Sequence, residues 1–341
     1  MADFDTLTKG LYEKSFTNTI AFDKPFLRRV DGLIQRKIGG ADINWFITKA
    51  DLSDQAEWFG DNDRIQPQRA STKEKCTVDY KGVRLPLLMD SKDYKRTRGY
   101  QWTDADFVEE KVREGLNGMR VTINEGLWEK DGLGATVDGN QLIGIRTALG
   151  QDVEYAGLAR SGSGTRSYFQ SASLDGDYTD QATARRVSYD NWYAALQKIS
   201  LYAAGEGVPT DNLLTLVGGD MYRSLKSQCS AQVTYKGESS MLKYGFRDGF
   251  SIDGVDVMWE KSWDIMGTTT DGVTLSNCIG IFNMATWKWR FAPEAGYTWG
   301  GWEFQGNHIG GVNQYMNVLM CVCALYCMNP RLNFWNTNWS A

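Results

Sequence analysis

Apolar positions along the chain recur with two different periods, and the places where one period gives way to the other mark out its elements. Residues 23–38 carry Phe26, Leu27, Val30, Leu33, Ile34 and Ile38 at helical spacing, with Asp23 as N-cap, Pro25 in the first turn and Gly39 and Gly40 as the stop. From Asn44 to Tyr100 short apolar clusters flank a polar centre. Trp45, Phe46 and Ile47 lead out, while Cys76, Val78, Tyr80, Val83, Leu85 and Leu87 return with the alternation of a strand. The centre, residues 61–74, is charged and holds Pro67, as an exposed tip would. The longest helical signal follows from Thr103 to Glu129, where Val108, Val112, Leu116, Met119, Ile123 and Leu127 share one face. Such a helix is roughly 40 Å long. Thr103 and Asp106 sit like a capping box, and Gly115, Gly118 and Gly126 permit either a bend or close packing.

Residues 132–286 mix both periods. A glycine-rich turn at 161–167 precedes a helix over 188–204 with Trp192, Leu196 and Ile199 inward. The apolar run Leu213 to Val217 predicts a buried strand, Gly218 and Gly219 a turn, and 220–232 a second helix. A turn over 245–250 and a strand over 252–257 are expected. Near the end Trp287, Trp289 and Phe291 alternate, a loop rich in glycine and aromatics spans 296–311, and a final strand places Cys321, Cys323, Leu325 and Cys327 on one face. No internal repeat or low-complexity linker interrupts this order, so two domains joined by a hinge are not indicated.

Composition narrows the class. With 42% hydrophobic and 23% charged residues the chain is an ordinary globular protein, and 341 residues are enough to bury a core without disulfides. The distinctive excess is aromatic, 13 Trp, 16 Tyr and 14 Phe, side chains that fill cores and also mark contacts between proteins. The net charge of −5 is spread as a slightly basic first hundred residues and an acidic remainder. That distribution argues against tight, sequence-reading DNA binding, which needs a dense Lys/Arg patch. Residues 318–328 form the most apolar stretch, too short to span a bilayer. The start of the chain, with Asp3, Asp5 and Lys9, has no apolar leader run, so the six unevenly spaced cysteines are expected to be reduced thiols.

Chemical constellations are sparse. A single histidine, His308, lies in a glycine-rich loop and reads as a loop residue rather than as a base for a Ser or Cys nucleophile. The stretch Ser161 to Arg166 lacks the Lys-Ser/Thr of a phosphate loop, and Gly218 and Gly219 lack the third glycine of a dinucleotide turn, with Asp220 repelling a pyrophosphate. Cys321, Cys323 and Cys327 have no fourth ligand at a recognised spacing and read as buried thiols. Glu109, Glu110 and Glu114 on the long helix read as solvated or subunit-facing, with a glycosidase pair among them as the rival, and Trp287, Trp289, Trp299 and Trp302 read as core or interface packing, with a sugar-stacking platform as the rival. A carbohydrate-binding protein or glycoside hydrolase is therefore the alternative from another functional class. No catalytic, cofactor-binding or metal-binding residue is assigned.

Taken in order, the elements resemble those of tailed-bacteriophage major capsid proteins with the Hong Kong 97-type fold. Local stretches are similar too: GLARSGSGTRSYFQS (157–171), NWYAALQKISLYAAGEGVPTDNLLTLVGGDMYRSL (191–225), YGFRDGFSIDGVDVMWEKS (244–262) and CALYCMNPRLNF (323–334). The resemblance implies an α+β fold with an N-terminal arm (1–44), an extended β-hairpin or E-loop (45–101), a peripheral domain with a long spine helix (102–140 and 287–341) and an axial α/β domain (141–286). It implies a non-enzymatic subunit that self-assembles as pentamers and hexamers into an icosahedral or prolate head shell around double-stranded DNA. Assembly in the host cytoplasm, the virion as final location, no cofactor, no membrane, and scaffolding, portal and decoration proteins as partners belong to the same expectation. Encapsulin-type compartments share this fold and stay open as an alternative. Bending of the spine helix at Gly115 and Gly118 during shell expansion is a further expectation. Lys73, Lys75 and Lys81 lie in the hairpin region without an identifiable crosslinking partner.

Overall fold

The alternating and continuous apolar runs become the strands of two sheets, and the helices cover the faces those strands leave apolar. The computed structural model describes residues 25–31, 42–49, 72–90, 104–133, 140–150, 153–160, 167–172, 185–186, 189–229, 249–292, 298–299, 303–304, 314–337 and 339–340. Helix α1 (Pro25–Asp31) is followed by strands β1 (Asp42–Thr48) and β2 (Lys73–Asp79), an antiparallel pair in which Asp42 faces Asp79 and Thr48 faces Lys73. Strand β3 (Lys81–Asp90) leaves this pair and joins a different sheet, and helix α2 (Asp104–Leu127) packs on it.

Helix α3 (Ile145–Leu149) is short and wholly buried, whereas α4 (Tyr189–Glu206) buries only Trp192, Ala195, Leu196, Ile199 and Ala203. Strand β4 (Leu213–Val217) runs into helix α5 (Gly219–Gln228). The hairpin β5 (Gly249–Ile252) and β6 (Val255–Trp259) turns at Asp253 and Gly254, which both have positive φ, 50° and 83°. This is the Asp-Gly two-residue turn whose twist matches that of its strands, and it replaces the single strand expected across 252–257. Helix α6 (Lys261–Met266), strands β7 (Ile279–Asn283), β8 (Trp287–Phe291) and β9 (Gln314–Cys327), and the short β10 (Phe334–Asn336) complete the chain.

One sheet is built around β9. Its Gln314–Cys323 stretch pairs with β3 along one edge, and β8 with residues 298–299 and 303–304 follows along the other, since Cys323 faces both Lys81 and Phe291. The second sheet has the order β10-β7-β4-β6-β5, with β4 and β6 parallel and the other pairs antiparallel. Helices α4 and α5 cover one of its faces, packing Trp192, Ile199, Met221 and Leu225 on Leu213, Val217 and Val257. Its other face, with Leu214, Leu216, Met258 and Phe282, belongs to the core shared with α1, α2, β8 and β9. Burial on both sides is why β4 and β7 read as unbroken apolar runs.

Candidate functional site

The arrangement most able to carry function is the frame that fixes the β1–β2 pair and the long helix to both sheets. At the root of the pair, Trp45 lies against Tyr326, with ring centroids 5.0 Å apart, and its indole N–H donates to the Met328 carbonyl at 3.2 Å. The Thr77 amide donates to the Ala156 carbonyl at 3.0 Å. Tyr155, buried beneath Trp45, accepts the Cys327 amide at 2.8 Å, and burial pushes its hydroxyl well above the usual tyrosine range. The pair is thus anchored by side chains at its base, while residues 50–71 between its strands lie outside the described residues.

Helix α2 sits close on the β3–β9 sheet at Gly115. A Cβ there would lie 2.8 Å from Leu87 Cδ2 and 3.0 Å from Leu319 Cδ1, whereas one on Gly118 would meet only Leu85 at 3.6 Å, an ordinary contact. The helix ends at Leu127, two residues before the expected Glu129, in a six-to-one and five-to-two hydrogen-bond pattern: Lys130 N to Glu125 O at 3.0 Å and Glu129 N to Gly126 O at 3.2 Å. The residue in the left-handed position of this cap is Glu129, with φ 53°, where glycine is usual.

What holds Glu129 there is its buried carboxylate, which accepts the Gly144 amide at 3.1 Å, the Thr147 amide at 2.6 Å and the Thr147 hydroxyl. It thereby caps the start of α3. Gly144 is obligatory, because a Cβ would stand 2.5 Å from the Leu127 carbonyl oxygen. Arg146 donates to the Glu129 carbonyl at 2.9 Å and pairs with Asp271, and the Thr270 amide reaches the Lys130 carbonyl at 2.9 Å. Burial alone would raise the Asp271 carboxyl; hydrogen bonds from Arg146 and Thr269 outweigh it and hold Asp271 below its ordinary value. Behind this clasp, buried Arg160 donates to the carbonyls of Val153, Ala148 and Thr147 and so closes the other end of α3.

Where α2 meets the second sheet, six rings pack edge to face or stacked: Phe26, Trp128, Trp263, Phe282, Trp287 and Trp335. The closest pair, Trp128 and Trp263, is 4.9 Å apart at 88°. Nearby, buried Asn333 ties two chain reversals together. Its Oδ1 accepts the Asn283 amide and the Trp287 indole N–H, each at 2.9 Å, and its Nδ2 donates to Thr286 Oγ1, Asn329 O and Cys327 Sγ.

Of the residues singled out for chemistry, Trp287 and Cys327 serve this packing and the rest fall elsewhere. Trp287 and Trp289 are 0% and 3% exposed, so neither presents a face to a sugar. Glu114 is at the surface and pairs with Lys111 at 2.9 Å. His308, Ser161 to Arg166 and Trp302, with the side chains of Glu109, Glu110 and Trp299, lie outside the described residues. All six cysteines are buried free thiols. The turn after β4 is filled by the protein itself: a Cβ on Gly218 would collide with the Ser276 carbonyl, and the Gly219 amide donates to Asp264 at 3.3 Å where a phosphate would have to sit. Glu129, Arg146, Arg160 and Asn333 carried no sequence signal, because each acts through partners brought near only by folding.

No protein-family model matches this chain, and no curated protein sequence matches it. Among solved structures, the capsid asymmetric unit of Cyanophage A-1(L) superposes with a TM-score of 0.62 at 12% identity, covering 95% of this chain and 93% of that one. The chain has the Hong Kong 97-type capsid fold. The capsid of the native GTA particle gives a TM-score of 0.53 at 9% identity, over 92% of this chain and 90% of that one. The mature capsid of bacteriophage PhiM1 gives 0.50 at 10% identity, over 89% and 84%. The six-ring cluster joins the end of α2 to the second sheet, and the clasp at Glu129 joins it to α3 and, through Arg146, to Asp271.

Proposed function

We propose that the chain is the major capsid subunit of a bacteriophage head, identical copies of which close into an icosahedral or prolate shell around double-stranded DNA. The observation that carries this reading is the correspondence of fold over nearly the full length of both chains with a phage capsid subunit. A fold alone does not fix a function, but the likeness extends over 95% of this chain and 93% of the capsid subunit, which supports the reading. The subunit works through contacts and not through turnover.

Within this reading residues 1–44 form the arm, 45–101 the hairpin reaching over a neighbouring subunit, 102–140 with 287–341 the peripheral domain, and 141–286 the axial domain near capsomer centres. Extended parts suit a closed shell, since they add buried area that a compact subunit could not supply, and symmetry repeats each contact many times. A net charge of −5 limits sticking of DNA to the inner wall. Assembly in the host cytoplasm, with scaffolding, portal and decoration proteins as partners, belongs to the same proposal.

The test is expression of the chain with its phage's head genes, followed by gradient sedimentation and nuclease treatment. Fast-sedimenting particles that protect double-stranded DNA are the expected result. Particles that instead enclose a protein cargo would assign an encapsulin-type compartment, and a persistent monomer with glycan affinity would return the carbohydrate-binding alternative.

A further inference from the structure

The last turns of α2, the start of β3 and residues 140–142 enclose a cavity of about 460 Å³, a volume within the range of small-molecule sites. Its walls are drawn from described residues of one subunit. The floor is apolar and buried, formed by Ile123, Leu142 and Cys323, with half-buried Val83 beside them. Gly126 keeps one wall open. It lies in the last turn of α2, has no left-handed φ, and a Cβ on it would make only an ordinary contact, 3.6 Å from Leu142 Cβ. Packing therefore does not demand glycine at 126, although glycine costs up to about 1 kcal/mol relative to alanine in a helix. A space kept for a ligand does.

The charges at the mouth of the cavity are not equivalent. Glu125 is held by Lys130 at 2.6 Å, and Lys81 lies 3.9 Å from Asp79. Arg84 and Asp131, both exposed, are in no ion pair among the described residues. One cation and one anion thus stand unpartnered beside an apolar floor.

We propose that this cavity binds a small zwitterion with an apolar body, of the size of an apolar dipeptide, its carboxylate on Arg84 and its ammonium on Asp131. Charge and size select this class together. A purely apolar ligand would leave both charges unused, and an anion or a cation alone would leave one. A cavity of this volume is roughly 10 Å across and two extended residues span about 7 Å, so a dipeptide fits with a charge at each end and its side chains on the floor. A helix, about 10 Å in diameter before its length is counted, does not enter. The inference does not use the shell reading. A ligand bound there ties β3 to the end of α2 and stabilises the folded subunit by mass action.

The probe is leucyl-leucine, titrated into the purified full chain by isothermal calorimetry. N-acetyl-leucyl-leucine, which lacks the ammonium, and leucyl-leucinamide, which lacks the carboxylate, are titrated beside it. Wild type is expected to bind leucyl-leucine saturably and each blocked form at least about tenfold more weakly. Arg84→Gln should weaken leucyl-leucine by the same factor and cease to distinguish it from the amide, while Asp131→Asn should cease to distinguish it from the acetylated form. Both side chains are exposed, so both variants should melt within a few degrees of wild type. Should either fail to fold, the blocked peptides decide on wild type alone. No saturable binding by wild type up to about 10 mM, or binding indifferent to the blocked ends and to both substitutions, overturns the inference and leaves the shell reading standing.

Discussion

Asn333 shows how little of this protein's architecture a single residue reveals until its neighbours are in place. In sequence it closes Asn-Pro-Arg-Leu-Asn and stands out by nothing; in the fold its amide serves five partners, from Asn283 to Asn329. Asn333→Leu would keep the volume and leave buried donors and acceptors unpaired. A loss of about 3 kcal/mol in chemical denaturation is expected. Asp271 gives a prediction in pH. Its folded pKa is lowered from 3.8, so its pairing with Arg146 contributes fully above that value and is lost as pH falls through the lower folded one. Asp271→Asn should therefore melt lower than wild type near neutrality, and the gap should narrow on titration below pH 3.8. A gap that stays constant with pH would mean that the pairing is not what the substitution removes.

Among elements, those whose pattern reflects burial, on one face or on both, were legible. Leu213 to Val217 forms the strand its apolar run predicts, and Trp287, Trp289 and Phe291 point inward on β8 as their alternation requires. The last strand begins at Gln314, earlier than its apolar stretch, because Gln314 to Met316 are only half-buried and pair through backbone with Met316 facing Leu88. The helix over 220–232 stops at Gln228, and Cys229 turns into the core. Gly115 and Gly118 look alike in sequence and differ in place. Gly118→Ala should stabilise the protein by up to about 1 kcal/mol through helix propensity. Gly115→Val should destabilise it by about 1–3 kcal/mol, because its side chain enters the space of Leu87 and Leu319. Denaturation of the two variants checks the contrast. It also separates close packing from bending as the reason for a glycine at 115.

For the molecule as a whole, the order of early strands, long helix, mixed sheet and returning strand was readable, whereas the split of the expected return limb between the β1–β2 pair and the β9 sheet, and the weld between the elements, were not. The six rings of the aromatic cluster come from positions between 26 and 335, and no local period could have joined them. That weld makes the described parts one body, and the thiols report on it. Cys229 lies in the helix-covered core and the other five in the shared one, all buried, with Cys327 pushed up to about 12 by burial. At about pH 8 none of the six should react with a maleimide until the protein unfolds, and then all should appear in one transition. The central claim is that this body is built to be repeated in a closed shell. Cryo-electron microscopy of the purified chain under assembly conditions tests it most directly. Closed shells of pentamers and hexamers, with the hairpin of each subunit on its neighbour, are the predicted result; a protein that stays monomeric across conditions and concentrations would contradict it.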